Sequence, residues 1–249
     1  MKTLNVLIIG VALAMPTLSR AAINKGVEGS PHDFSTNSAY ATWNTRHGVC
    51  SPCHAAHNTD PSQIIPLWAH QTSAGGAGGF VMYSSPTLQA TMPTAPTGVS
   101  LACLSCHDGT LGINAPVGGL GTNTPYYISP NAQIGPDLHT THPISFDYNS
   151  ALAALDGGVE DPSVYTIGSA KTNLTVSVAP VSATGWEGTS LSGLTIDKAL
   201  LTDGKMQCSS CHDPHKLIGN SPGSGILIKI SGTDASGRGS LICRTCHIK

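Results

Sequence analysis

The chain contains the stretch Cys103-Leu104-Ser105-Cys106-His107, in which two cysteines separated by two residues are followed directly by a histidine. The pattern occurs in four copies, which together contain all 8 cysteines of the chain. The other copies are Cys50-Ser51-Pro52-Cys53-His54, Cys208-Ser209-Ser210-Cys211-His212 and Cys243-Arg244-Thr245-Cys246-His247. Cys-x-x-Cys-His is the attachment signature of a c-type haem, in which both thiols bind the porphyrin and the histidine binds the iron. The sequence therefore predicts four covalently bound haem c groups.

Two other uses of paired cysteines are open at this point. The 8 cysteines could form four-cysteine zinc sites, or disulfides if the chain is exported. A zinc ribbon does not require a histidine after the second cysteine of each pair, and a two-residue spacing makes reducible dithiols rather than structural disulfides. Both features favour the haem interpretation.

The N-terminus has the layout of a secretory signal peptide. A basic start, Met1-Lys2, precedes a mostly apolar run over residues 4–15 and a small-residue end at Ala21-Ala22. The apolar run is too short to span a bilayer. We therefore expect residues 1–21 to be a signal peptide and residues 22–249 to form one exported unit without a membrane span. Its expected location is extracellular or at the cell surface, with the periplasm as the alternative.

Charge and composition restrict both the function and the fold. The formal net charge is -2 and only 10% of the residues are charged, without a basic patch, which argues against nucleic acid as a partner. Aromatic residues make up 5% of the chain, while its 28 glycines and 17 prolines indicate many turns. We expect a multihaem cytochrome c fold of mostly loops and short helices organised around four haems, because porphyrins can replace a conventional core.

The long segment between the second and third motifs contains no cysteine. Within residues 109–205, the stretches 165–180 and 191–196 alternate apolar with small polar residues, which is the period of half-exposed strands. We predict a small β-rich, haem-free insertion at the surface there. Short helices are expected at the motifs and over residues 39–46 and 151–155.

The histidines supply candidates for both axial positions of each iron. The chain has 11 histidines. The predicted proximal ligands are the motif residues His54, His107, His212 and His247. After the predicted leader only three methionines, Met82, Met92 and Met206, could offer sulfur for the opposite position. We therefore predict bis-histidine, low-potential haems.

The predicted distal ligands are His32, His57, His142 and His215, with His70 as the runner-up. His57 and His215 each stand three residues after a proximal histidine. Residues at that spacing share a helical face, so each should ligate a haem other than that of its own motif. The remaining candidates, His47 and His139, are expected to make structural or propionate contacts.

Several short segments of the sequence resemble those of the multihaem cytochromes that carry a doubled Cys-x-x-Cys-His motif. These segments are Gly29-Ser30-Pro31-His32-Asp33, Pro66-Leu67-Trp68-Ala69-His70, Cys103-Leu104-Ser105-Cys106-His107-Asp108-Gly109-Thr110, His142-Pro143-Ile144-Ser145 and Cys208-Ser209-Ser210-Cys211-His212-Asp213-Pro214-His215. With its plain leader, the chain is similar to the tetrahaem cytochromes that polymerise into extracellular filaments, the cytochrome nanowires. The resemblance implies a continuous row of bis-histidine haems, in which one distal histidine of each chain binds a haem of the neighbouring subunit. His57 is the position that resembles this intersubunit ligand.

These observations predict an electron-transfer protein and not an enzyme. The leading hypothesis is a homopolymeric conduit that exchanges electrons with partner cytochromes or an extracellular acceptor. The alternative is a monomeric periplasmic tetrahaem shuttle, whose distal ligands would all come from one chain. A third hypothesis is a multihaem reductase, which would need an open distal site, whereas all four motifs end in histidine and spare histidines are plentiful.

Overall fold

A computed structural model describes residues 27–36, 43–117, 124–169, 182–183, 191–215, 228–231 and 240–248. Most residues in these ranges lie in turns and irregular loops. None of the helices found there is both long and apolar enough to cross a bilayer. The predicted signal peptide lies outside the described residues, as does part of the helix predicted over 39–46, whose described part forms turns.

Short helices provide most of the regular structure of the described residues. They are α1 (Gly98–His107), α2 (Ser150–Asp156), α3 (Ile196–Ala199), α4 (Cys208–Cys211) and α5 (Leu241–Cys246), with 3₁₀ turns at Gly76–Gly78 and Pro130–Ala132. Helices α1, α4 and α5 contain the cysteines of the second, third and fourth motifs, which confirms the prediction of short helices at these places. The first motif forms a turn instead.

Helix α2 confirms the helix predicted over residues 151–155. It begins after Asn149, whose side-chain oxygen accepts a hydrogen bond from the backbone N–H of Leu152 at 3.0 Å. It ends at Gly157, which has a left-handed backbone with φ 65 that glycine adopts without a steric penalty. A polar N-cap and a C-terminal glycine therefore set both ends.

The two strands of the described residues are short and pair antiparallel. In β1 (Ser182–Ala183) and β2 (Ile230–Ser231), Ser182 lies opposite Ser231. The prediction of a strand over residues 191–196 is wrong. A single bridge joins Thr166 to Thr195, and Thr195 then becomes the N-cap of α3. Gly193, with φ 82, turns the chain too early for a strand to form. Residues 170–180, which are most of the other predicted strand region, lie outside the described residues.

The main buried apolar cluster lies around α3 and α5. Its largest members are Phe146, Tyr148, Ile167, Leu191, Ile196, Leu200, Met206, Ile230, Leu241 and Ile242. Several of them belong to residues 109–205, so the prediction that this segment is a surface insertion is wrong for its described part. Its alternating apolar residues are buried against the fourth-motif helix, because burial there removes them from water.

A buried polar network joins the helices of the second and third motifs. Ser100, on α1, donates to the side-chain oxygen of Gln207 from its backbone N–H, at 3.1 Å, and from its hydroxyl. The backbone N–H of Cys208 donates to the Ser100 hydroxyl at 3.0 Å. Gln207 also caps α4 through a reciprocal pair of bonds with Ser210. The network fixes α1 against the start of α4 and so fixes the distance between two attachment motifs.

Candidate metal centres

The first histidine pair joins the first and third motifs. The imidazole of His215 lies beside that of His54, with ring centroids 6.2 Å apart and ring planes 28° apart. The backbone N–H of His215 donates to Asp213 at 2.9 Å, which fixes the turn that carries the ring. The structure thus brings His215 to a motif other than its own, in line with the expectation from its spacing.

The second pair joins His32, from the N-terminal loop, to His107 at the end of α1. Their ring centroids are 6.0 Å apart and their planes 58° apart. The turn that carries His32 is held by Asp33, which accepts the backbone N–H of Gly29 at 2.8 Å. The N–H of His32 itself donates to the hydroxyl of Ser30 at 3.1 Å.

The third pair joins His142 to His247 of the fourth motif. The ring centroids lie 6.3 Å apart and the planes are 72° apart. His247 directly follows α5, and its N–H donates to the carbonyl oxygen of Cys243 at 2.9 Å. The buried cluster that surrounds α5 therefore positions the motif side of this pair.

Backbone carbonyl groups orient the rings in all three pairs. Nδ1 of His54 lies 2.7 Å from the carbonyl oxygen of Pro66, and Nδ1 of His107 lies 2.8 Å from that of Ala132. Nδ1 of His142 lies 2.8 Å from the carbonyl oxygen of the next residue. Because a carbonyl oxygen only accepts, Nδ1 must carry the proton, and the lone pair is then on Nε2. This tautomer is the one that second-shell bonds impose on metal-binding histidines.

Two of the distal candidates are held in the neutral form. Burial lowers the pKa of His32 to about 4, and His107 and His215 add to the effect. Burial also lowers the pKa of His215, with Asp213 opposing the shift and His54 adding to it. Both rings are therefore neutral near pH 7, and neutral imidazole is the form that binds a metal ion.

The separation within the pairs fits one metal ion between two imidazoles. With a metal–nitrogen distance of about 2 Å, two rings bound through Nε2 on opposite sides of one ion have centroids about 6 Å apart. The three pairs have centroid separations of 6.0, 6.2 and 6.3 Å. Each pair includes one histidine of a Cys-x-x-Cys-His motif, so the donor set also fits a covalently attached haem.

The thiols of successive motifs interact with one another. Burial raises the pKa of Cys106 to about 12, and the first-motif thiol Cys53 adds to the rise. Hydrogen bonding to Cys103 lowers the pKa of Cys208. Burial raises the pKa of Cys211, with a contribution from a thiol of the fourth motif. The attachment points of motifs one to four are therefore neighbours in space in the order of the sequence.

The runner-up distal ligand, His70, is not placed to bind a metal ion. It is 3% exposed, and both of its ring nitrogens face carbonyl oxygens, Nδ1 that of Gln71 at 2.7 Å and Nε2 that of Gly112 at 2.9 Å. Both nitrogens are therefore engaged with the backbone. Met206, a possible sulfur ligand, is buried in the apolar cluster at 6% exposure.

The other predicted distal ligand, His57, is exposed. In the part of the chain that the structure describes, its ring has no ring contact and no side-chain hydrogen bond. The rings of His47 and His139 make local contacts: Nδ1 of His47 lies 3.0 Å from the carbonyl oxygen of Ser35, and His139 pairs with Asp137 at 2.6 Å. These last two contacts are of the structural kind that we expected.

The described residues contain no arrangement of cysteines that forms a zinc site or a disulfide. No group of three or more His, Cys, Asp or Glu side chains there could hold a metal ion, although all 8 cysteines are described. Among the described residues, none of these cysteines forms a disulfide. The arrangement that the structure does contain is the pairing of motif histidines with other histidines.

Sequence reasoning missed the part played by Trp68. This side chain is 8% exposed and packs edge-on against His54, with ring centroids 6.3 Å apart at 88°. Backbone pairing between His54 and Trp68 holds the two rings together. The segment Pro66-Leu67-Trp68-Ala69-His70 could have indicated this role. It supplies both the carbonyl group that orients His54 and the indole that covers it.

Comparison with known proteins adds no assignment. No protein-family model matches this sequence, and no curated protein matches it significantly. The functional argument therefore depends on the motifs and the histidine geometry.

Proposed function

We propose that this chain is an electron-transfer protein that carries four covalently bound c-type haems. The observation that carries the proposal is the set of three histidine pairs, each made of one motif histidine and one distal histidine at 6.0–6.3 Å. The residues that would hold the haems are the motif cysteines and the pairs His54/His215, His107/His32 and His247/His142. For the third motif, His212 is the proximal ligand.

A bound haem supplies one-electron exchange at its iron. For three of the four haems, the paired histidines would offer the iron two imidazoles, which would leave those irons no site for a substrate and would favour electron transfer over catalysis. The carbonyl groups of Pro66 and Ala132 hold the proximal rings in one tautomer, so that the iron environment need not reorganise between oxidation states.

The proximity of the motifs supports electron transfer along the chain. The mutual effects of the thiols on their pKa values indicate that the attachment points of successive motifs are close, and the Ser100–Gln207 network fixes the second motif against the third. The pairing of His215 with His54 adds a direct link between the third and first motifs. Four haems held in this way would form a compact conducting unit.

The experiment that tests the proposal is the intact mass and absorbance spectrum of protein made in a host that attaches haem c. Four added haem masses, an intense Soret band and low-spin electron paramagnetic resonance signals support it. A chain of unmodified mass that binds zinc would contradict it. Partial attachment is resolved by replacing both cysteines of one motif by alanine, which should remove one haem mass.

We further propose that the protein is the subunit of an extracellular filament, as its resemblance to filament-forming cytochromes implies. The exposed ring of His57 supports this, since it is accessible to a second copy of the chain. His57→Ala should abolish filaments in negative-stain micrographs and leave one haem per chain high-spin. The control His47→Ala should leave the filaments intact and the haems low-spin. Unchanged filaments would exclude a role of His57 as a ligand to a haem of the neighbouring subunit. Compact particles in the wild type would favour the periplasmic shuttle.

A further inference from the structure

The indole N–H of Trp68 is a buried hydrogen-bond donor without an acceptor among the described residues. The side chain is only 8% exposed, and its Nε1 atom has no hydrogen-bond partner there. A buried donor costs free energy unless it is paired, and a buried tryptophan usually finds a partner for its N–H. The chain satisfies such a donor elsewhere, since the side-chain nitrogen of Asn44 donates to the carbonyl oxygens of Phe34 and Gly48, both at 3.0 Å.

The position of this indole is fixed against the first motif. Trp68 forms an antiparallel backbone bridge with His54, and the N–H of Ala69 donates to the carbonyl oxygen of Cys53 at 2.9 Å. The rings of Trp68 and His54 are in contact, with centroids 6.3 Å apart. The donor is therefore held beside the predicted proximal histidine and next to an attachment cysteine.

The carboxylate that adjoins this segment does not serve as the acceptor. Asp60 is close in space, because its backbone N–H donates to the carbonyl oxygen of Trp68 at 2.9 Å. Its side chain turns to Ser62 instead, and accepts the backbone N–H at 2.9 Å and the hydroxyl at 2.6 Å. The acceptor for the indole N–H therefore has to come from a bound group.

We propose that the indole N–H of Trp68 donates a hydrogen bond to a propionate carboxylate of the haem attached at Cys50 and Cys53. The proposal rests on the proposed function. In a haem c the pyrrole nitrogens bind the iron and the former vinyl groups carry the cysteine sulfurs, so the propionates are the acceptors that remain. A carboxylate only accepts, and its bond to an N–H is charge-assisted. Trp68 is then a positioning residue that holds the edge of the porphyrin.

The charge composition and the neighbours of the ring support this choice of acceptor. The chain has only 12 lysines and arginines against 14 aspartates and glutamates, so neutral donors have to share in binding the propionates of four haems. The second-motif haem could supply the same chemical group, because His70 lies 6.2 Å from Trp68 and 3.8 Å from the sulfur of Cys106. The direct contact of Trp68 with His54 favours the first-motif haem.

Resonance Raman difference spectra of the haem-loaded protein test the bond. Trp68→Phe keeps an aromatic ring and removes the N–H, so we expect a component of the propionate bending band to shift. The matched control is Tyr148→Phe, which removes a buried hydroxyl that donates to the carbonyl oxygen of Glu160 at 2.6 Å and should leave the band unchanged. An unchanged band in Trp68→Phe, or the same shift in both variants, would overturn the proposal.

An electron cryomicroscopy structure of the wild-type, haem-loaded protein gives an answer even if Trp68→Phe does not fold. We expect Nε1 of Trp68 about 3 Å from a propionate oxygen of the first-motif haem. A propionate of the second-motif haem at that place would overturn the assignment to the first. A buried water alone, a protein carbonyl group or no acceptor at Nε1 would overturn the proposal while four attached haems upheld the proposed function. A chain without attached haem would contradict the proposed function itself.

Discussion

His215, which follows the third motif, lies beside His54 of the first motif with ring centroids 6.2 Å apart. The two rings come from distant parts of the sequence and are oriented by separate contacts, His54 by the carbonyl of Pro66 and His215 by the turn at Asp213. A pair built from two independently held imidazoles is the arrangement that one iron with two axial nitrogens requires. Each motif histidine with such a partner can be tested separately.

Replacement of His215 by alanine should open one axial position. Because His215 is the partner of His54 in the structure, the haem of the first motif should lose its distal ligand while the remaining haems keep theirs. We expect one of the four irons to change from low-spin to high-spin, as measured by electron paramagnetic resonance. His139→Ala is the matched control, since His139 is exposed and pairs with Asp137. A fully low-spin His215→Ala protein would contradict the assignment.

Replacement of Gln207 by alanine should weaken the junction between the second and third motifs. The buried Gln207 oxygen accepts from Ser100 twice, and its loss leaves buried donors without a partner. We expect the free energy of unfolding to fall by about 1–3 kcal/mol. Chemical denaturation of the haem-loaded protein measures this. Gln89→Ala, at an exposed position, should have little effect, and an equal loss in both variants would refute the role of the network.

Truncation of Ile196 should test the buried cluster. Ile196 is 0% exposed, and its replacement by alanine leaves a cavity in the buried apolar cluster. We expect a loss of about 2–5 kcal/mol in thermal or chemical unfolding. Val164→Ala is the control, because Val164 is 71% exposed. A stability loss no larger than that of the control would show that this cluster is not a core.

Removal of haem should affect the two parts of the chain differently. The buried apolar cluster lies within residues 146–246, whereas the region around the first two motifs relies on a few buried side chains such as Trp68 and Leu104. In a chain made without haem attachment, we expect limited proteolysis to cut residues 43–117 first. Protection of that region equal to that of residues 191–215 would mean that haem is not needed to order it.

Sequence reasoning located the residues of the site better than their relationships. Local spacing identified every motif residue and also His215. The predicted distal residues His32, His142 and His215 each lie opposite a motif histidine in the structure, whereas His57 does not. Which histidine meets which motif depends on contacts between distant segments, and no local pattern encodes these. The same limit explains His70, whose engagement depends on the carbonyl of Gly112, far away in the sequence.

The fold was harder to predict where apolar residues alternate. Residues 191–196 have the period of a strand, but Gly193 turns the chain and Thr195 caps a helix. The burial of Phe146 and Ile167 against α5 also depends on tertiary contact, and alternation does not distinguish a half-exposed strand from a loop packed on a core. Helix ends were easier, because Asn149 and Gly157 are local signals.

The most direct test of the central claim is an electron cryomicroscopy structure of the haem-loaded protein. We predict an iron between His54 and His215, another between His107 and His32, and a third between His247 and His142, each with its porphyrin bonded to the cysteines of the motif. Iron coordinated on its distal side by His70 or Met206, or motif cysteines gathered around zinc, would contradict the account.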